Sequence, residues 1–334
     1  MTIIATAPTR IDLAGGTLDL EPLYLFHRNA SSINVAITIP ATVELEPRAG
    51  KSITIRSVDQ NCTVHATNCH SLKTKDLPLV TAVVRHFAPA KGFRLTTNSS
   101  APTGSGLGAS SSLMVALTAA FMKFTRQPLN LERLLHTAKA IETAVIQVPT
   151  GYQDYLAAIH GGVTNWHFGA SGIVREPLKL KPKFIKSLEE HLVLAYTGVP
   201  HFSGINNWQI FKSHVDGNRR MYRLFEELRD NALTMTKALK AQSFKALAQA
   251  LQKDWVTRQK LAASVSTKPI DRLMREGRKH GLAAARVCGA GGGGCVALLA
   301  QPGQAVRLKT WLNRRRAIIL PYRIDPKGLR VSTT

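Results

Sequence analysis

The stretch Ser99–Phe121, SSAPTGSGLGASSSLMVALTAAF, constrains this chain more than any other. Glycines at 104, 106 and 108 alternate with small residues, a serine triplet follows at Ser110, Ser111 and Ser112, and an apolar run begins at Leu113. The pattern predicts a loop feeding a helix. Glycine tolerates positive φ and leaves the backbone uncovered, so consecutive N–H groups can point at one anion. The serines are expected to cap a helix whose first turn carries partial positive charge. Taken alone, the stretch fits a phosphate cradle and a flexible turn capping a core helix about equally.

The rest of the chain bounds the choice. With 334 residues and 44% hydrophobic content it is long enough for two packed cores. No segment approaches the roughly 18 uninterrupted apolar residues of a membrane span, and Met1–Arg10 lacks the apolar centre of a signal peptide, so a cytoplasmic protein is expected. Cys62, Cys69, Cys288 and Cys295 are too few and too oddly placed for a secreted disulfide framework and are expected as free thiols. The formal charge of +23 raises the question of nucleic acid or a membrane surface. Its distribution argues against both: basic residues are thin before Arg126, become frequent after Lys179, and show no alternation of arginine with aromatics. Such a surface is mostly solvated and would concentrate an anionic substrate.

Along the chain, the alternation around Arg10–Leu13 predicts a strand ending in a turn at Gly15-Gly16. Val35–Ile39, Thr42–Glu46 and Ser52–Val58 read as short strands of an antiparallel meander separated by Pro40, Pro47 and Gly50. Pro78–His86 reads as a helix, and Phe93–Thr97 as the strand that leads into the glycine loop. After the helix that follows the loop, a second helix is expected from Asn130 to about Ile146. Glu142 lies on or beside its apolar stripe, where a buried carboxylate would need a partner, although a helical glutamate more often reaches water. Tyr152–Ile159 is a short helix with Asp154 in its first turn, where the macrodipole favours the ionised form. A strand at Gly162–Phe168 precedes a linker-like stretch, Gly169–Pro182, and another strand at Leu192–Thr197. Asn206–Lys260 is a helical layer, and Gly289–Gly294 joins two apolar strands.

Several chemistries fail on spacing. Gly104, Gly106 and Ala109 fit G-x-G-x-x-G/A, but the acidic residue expected about 20 positions later falls at Glu132, which opens a helix. Gly289, Gly291 and Gly294 match the same pattern but lead into a strand, leaving no helix N-terminus for a pyrophosphate. No lysine follows the first loop as a Walker A sequence requires, and no G-x-S-x-G elbow is present. Cys62, His65, Cys69 and His70 lack the spacing of a zinc site.

Three stretches together resemble the GHMP kinases, the superfamily of galactokinase, homoserine kinase, mevalonate kinase and phosphomevalonate kinase. Pro102–Ser112 resembles the family's P-x-x-x-G-L-G-[SA]-S-[SA] loop, APTRIDLAGGTLDL its N-terminal motif and GAGGGGC its C-terminal motif, in the family's order. The resemblance implies an α+β fold of two domains. Residues 1–182 would form a ribosomal-protein-S5-domain-2-like unit and residues 183–334 a ferredoxin-like α+β unit. It also implies ATP on a loop made of Pro102, Gly104, Ser105, Gly106, Leu107, Gly108, Ala109, Ser110 and Ser111, with Mg²⁺ held by Ser110 and Glu142. Asp154 would orient and deprotonate the acceptor hydroxyl, and Arg10 would pair with it and with the transferring phosphate. These parts suffice for a reaction that is mainly positioning and charge stabilisation.

The subgroup follows from the first motif. Arg10 and Asp19 resemble the sugar-kinase branch, whereas mevalonate kinases usually carry lysine at the first position and lack the aspartate. Gly16 and Thr17 replace the acidic and histidine residues of the galactokinase signature. The double glycine and Gln153-Asp154 look more like D-glycero-D-manno-heptose 7-phosphate kinases and fucokinases, although GGTLD stands where those tend to have GGGTD. The expected acceptor is therefore a sugar or sugar phosphate, held by Gly16, Thr17, Asp19, Gln153, Gly291 and Gly292. A mevalonate-pathway kinase and a catalytically silent sugar- or nucleotide-binding regulator are the alternatives. No nucleic-acid or membrane partner is expected, and the chain is expected as a monomer or homodimer.

Overall fold

The computed structural model describes residues 1–73, 75–200 and 203–334, with the backbone alone for 203–207. The first sheet is built on two long strands, β1 (Ile3–Ala14) and β2 (Ala30–Pro47), followed by β3 (Ile53–Ser57) and β4 (Cys62–Ala66). Pro40 does not end a strand, contrary to expectation: β2 runs through it. Pro8 faces Pro40, neither has an N–H to give the ladder, and the register shifts immediately afterwards, pairing Thr9 with Ile37. The bulge keeps the strand continuous, and the Thr9 hydroxyl donates to the Ile39 carbonyl at 2.7 Å.

Helix α1 (Pro78–Phe87) leads to β5 (Phe93–Ser99), and α2 (Ala109–Phe124), α3 (Leu131–Ile146), α4 (Gln153–His160), β6 (Val163–Gly169) and β7 (Gly172–Pro177) complete this half. β5 inserts between β2 and β3 and runs parallel to β3, so the sheet is mixed and not a simple meander. Helix α2 packs against β1, β2, α1, α3 and α4. Being enclosed on all sides, it is apolar all round, and its small residues let the neighbours approach closely. The stretch expected as a linker, Gly169–Pro182, instead contains β7. An exposed edge strand such as GIVREP, paired on one side only by β6, carries little apolar signal.

The second half runs through α5 (Pro182–His191), β8 (Leu192–Tyr196), α6 (Ser203–Val215), α7 (Arg219–Lys240), α8 (Phe244–Gln259), α9 (Lys268–Gly277), β9 (Leu282–Val287), β10 (Cys295–Ala300), α10 (Ala305–Arg314), β11 (Ile318–Ile319) and β12 (Arg330–Thr333). Its antiparallel sheet has the order β11-β8-β10-β9. The last strand, β12, leaves this half and pairs with β1. Helices α7 and α8 also pack on β1, so a core formed by Ile11, Leu13, Ala232 and Leu251 runs continuously between the halves. All four cysteines are free thiols. Among the described residues, no helix is long and apolar enough to cross a membrane.

Candidate active site

The glycine loop lies between β5 and α2, with Gly104, Gly106 and Gly108 at φ of 66°, 73° and 72°. These left-handed positions turn the chain so that it enters α2 with the first-turn N–H groups, which have no intrahelical partner, facing outward from the helix end. The serines do not cap this helix as expected: Gly108 occupies the N-cap position without a side-chain bond. Their hydroxyls have other partners. Ser112 donates to the Pro8 carbonyl at 2.7 Å and Ser110 to Glu142 at 2.6 Å. Pro102 accepts the Ser105 N–H, while the Leu107 side chain is buried in the core and its carbonyl accepts the Arg10 N–H at 3.0 Å.

Arg10 and Asp154, 144 positions apart, meet beside this loop. Arg10 Nε donates to Asp154 Oδ1 at 2.8 Å, Nη2 lies 2.7 Å from the same oxygen, and Nη1 donates to the Gly106 carbonyl at 2.5 Å. A Cβ on Gly108 would come 3.0 Å from the Asp154 carboxyl carbon, so the loop and the carboxylate are in direct apposition. Burial raises the Asp154 pKa, opposed by the Arg10 guanidinium and reinforced by Asp12. Against its own burial, Arg10 is held above its ordinary value by Asp154 and Asp12. The pair therefore offers a carboxylate more basic than usual beside a cation that stays charged.

Glu142, only 2% exposed, is buried on the apolar face of α3 and does not reach water. Its Oε1 accepts from Ser110 and its Oε2 from the Tyr155 hydroxyl at 2.5 Å. Burial pushes its pKa up, while the hydroxyls of Ser110, Tyr155 and Ser111 pull it down. A carboxylate and a hydroxyl converging at the mouth of the loop form the hard-oxygen donor set that Mg²⁺ prefers.

Asp19 forms the other wall. Its Oδ1 accepts the Thr17 N–H at 3.1 Å and its Oδ2 the Gln153 N–H at 3.0 Å, which brings Gly16, Thr17 and Asp19 up to Gln153, the residue preceding Asp154. Burial pushes Asp19 up to about 6, with the Gln153 N–H opposing. Gly291 and Gly292 make their contacts elsewhere: Gly292 N–H donates to the Val265 carbonyl, the same atom that approaches Gly291. Gly289 and Gly294 of that segment touch the first glycine loop itself, against Gly106 and against the carbonyls of Gly104 and Ser105.

Sequence reasoning missed the buried charges behind the site. Arg286, on β9, pairs with Asp12 and, at 2.8 Å, with Asp254; Asp12 also accepts the Gly289 N–H and Asp254 the Gly15 N–H. Arg258 donates to the carbonyls of Gly16 and Gly289, both at 2.8 Å. The available signal was charge inside apolar strands, RIDL and AAARV, where an unpaired ion would be untenable.

Residues 78–162 match the GHMP kinases N terminal domain and residues 235–315 the GHMP kinases C terminal domain. The chain is 26% identical to the D-glycero-alpha-D-manno-heptose 7-phosphate kinase of Campylobacter jejuni, across 98% of each chain. It is 24% identical to the L-fucokinase/L-fucose-1-P guanylyltransferase of Bacteroides fragilis, across 98% of this chain and 38% of that longer protein. Among solved structures, a D-glycero-D-manno-heptose 1-phosphate kinase from Bacteroides thetaiotaomicron superposes with a TM-score of 0.81 at 22% identity, covering 99% of both chains. The mevalonate kinase of Methanococcus jannaschii superposes at 0.74 with 19% identity, covering 96% of this chain and 98% of that one. These last two likenesses concern the fold. With both family domains matched in order and the glycine loop in direct contact with the third glycine segment, the chain belongs to the GHMP kinases.

Proposed function

We propose that this chain transfers the γ-phosphoryl group of ATP to a hydroxyl of a sugar or sugar phosphate. The observation that carries the reading is the Arg10–Asp154 pair locked onto the Gly106 carbonyl of the loop, which puts a base and a cation where donor and acceptor would meet. The triphosphate would lie on the backbone of Gly104–Ser111. Asp154 takes the proton of the acceptor hydroxyl as its oxygen bonds to the γ-phosphorus, the bond to the β-phosphate bridging oxygen breaks, and ADP leaves. Arg10 keeps Asp154 oriented and offsets charge on the transferring group.

Ser110 and Glu142 would hold Mg²⁺, which when bound supplies the phosphate neutralisation that a Walker lysine gives elsewhere. Asp19, an acceptor of hydrogen bonds backed by Thr17 and Gln153, suits a sugar hydroxyl. Gly291 and Gly292, which pack on Val265, stand outside this wall. A cytoplasmic location, where ATP is available, is part of this reading.

A sugar is favoured over mevalonate by Arg10 with Asp19, and by the full-length match to a heptose phosphate kinase. ADP release measured over heptose 7-phosphate, fucose, mannose, galactose and mevalonate, with the product identified by phosphorus NMR, tests the reading. One sugar acceptor should dominate. Turnover confined to mevalonate, or none with any acceptor, would overturn it.

A further inference from the structure

A cavity of about 540 Å³ lies in the second half, between the end of β8, the first turns of α9, the turn before β11 and Gly292–Gly293 of the third glycine segment. Arg10, Asp19, Glu142 and Asp154 belong to the first half, and none of them lines it. Four cations do: Lys268 and Arg272 on α9, with Arg315 and Arg316 ahead of β11. No carboxylate is among the lining residues. Arg315 pairs with Glu276 outside the cavity and lies over the Trp311 ring, 4.9 Å from its centroid. Lys268, Arg272 and Arg316 have no ion pair among the described residues. Opposite these charges the wall is apolar at Val199, Pro269 and Leu273, while Tyr196 and Thr197 turn their hydroxyls to the carbonyls of Thr103 and Gly294.

We propose that this cavity is a nucleotide-binding site separate from the donor cradle, taking a nucleoside diphosphate with its phosphates among Lys268, Arg272 and Arg316 and its base on the apolar wall. Three like charges around one hollow repel one another until an anion enters, and a diphosphate answers several of them at once. The volume falls within the roughly 300–1,000 Å³ of small-molecule sites, so inorganic phosphate alone would leave most of it to water. A sugar phosphate suits it less. Sugar hydroxyls need acceptors as well as donors, and the lining has no carboxylate, amide or imidazole side chain to accept from them. A base instead buries a flat apolar face and asks little of the wall. The site also reaches the donor side. Gly294 donates its N–H to the Val199 carbonyl at 2.8 Å and packs against the carbonyls of Gly104 and Ser105, so an occupant bears on backbone that supports the glycine loop. The inference stands apart from the proposed phosphoryl transfer, since neither the loop nor the Arg10–Asp154 pair lines the cavity.

The test is calorimetric titration of the full chain with ADP and Mg²⁺, comparing wild type, Arg272→Ala/Arg316→Ala and a control, Arg219→Ala/Arg220→Ala, whose arginines lie on α7 outside the cavity. Wild type should bind two equivalents, one on the loop and one in the cavity. Arg272→Ala/Arg316→Ala should weaken one of them at least about tenfold and keep the other within about twofold, with an unchanged thermal melt. The control should leave both as they are. One equivalent in wild type that Arg272→Ala/Arg316→Ala leaves untouched would overturn the inference, as would a second equivalent weaker than about 1 mM. Two equivalents that both survive, equal weakening of both, or the same loss in the control would reduce the effect to the chain's overall positive charge and overturn it too. One equivalent that Arg272→Ala/Arg316→Ala abolishes would uphold the cavity and defeat the donor cradle instead.

Discussion

In the proposed function Asp19 would serve recognition at a cost in stability. The fold raises it from 3.8 to about 6, chiefly by burial. A carboxyl raised in this way contributes stability while protonated, fully present below about pH 4 and lost as pH rises through about 6. Asp19→Asn should therefore be more stable than wild type above pH 6, by up to about 3 kcal/mol, with the difference vanishing near pH 4. Urea titrations across that range check the sign, and a variant less stable at pH 7 would contradict it. If, as proposed, the ionised form accepts from a sugar hydroxyl, wild-type kcat/KM for the acceptor should rise with pH through about 6, and the variant should lack this rise. At this scale the sequence was informative where a charge broke a pattern. Glu142 on an apolar stripe and Asp154 in a first helical turn were both visible. Two further groups that act on their protonation, Tyr155 and Asp12, were not, because spatial pairing leaves no mark in local spacing.

The loop and the third glycine segment make one element of structure from two distant stretches. Gly106 approaches the Cys288 carbonyl so closely that a Cβ would lie 2.5 Å from that oxygen, and its φ is 73°. Gly106→Ala should therefore strain the backbone and part the two segments, costing about 1–3 kcal/mol and weakening ATP-analogue binding at least about tenfold. Calorimetric binding together with a thermal melt checks both effects, and unchanged ATP affinity would remove the contact from the donor site. Elements with a strong period were readable from sequence: α1, α2, α3 and the strand β5 fall close to where spacing put them. Two kinds of element were not. β2 was divided at Pro40 because a bulge can carry proline through a strand, and β7 passed for a linker because its face is exposed.

Across the whole molecule, the halves share a buried ionic cluster and a final strand. Arg286 from the second sheet meets Asp12 of the first and Asp254 of α8, and β12 returns to β1. Arg286→Met leaves two buried carboxylates without their cation, so unfolding by denaturant should show a loss of about 3–5 kcal/mol; a loss below about 1 kcal/mol would mean that the cluster does not join the halves. The two-domain architecture was legible through three glycine-rich motifs in order, whereas the tie between domains was hidden in single charges far apart in sequence. In the proposed function the assembled halves form a donor cradle facing an acceptor wall across Arg10 and Asp154. That claim is tested most directly by the rate of phosphorylated-sugar formation in Asp154→Asn, with ATP affinity measured on the same protein. The account predicts turnover lower by at least about 10²-fold with ATP binding nearly unchanged. Turnover at the wild-type rate would contradict it.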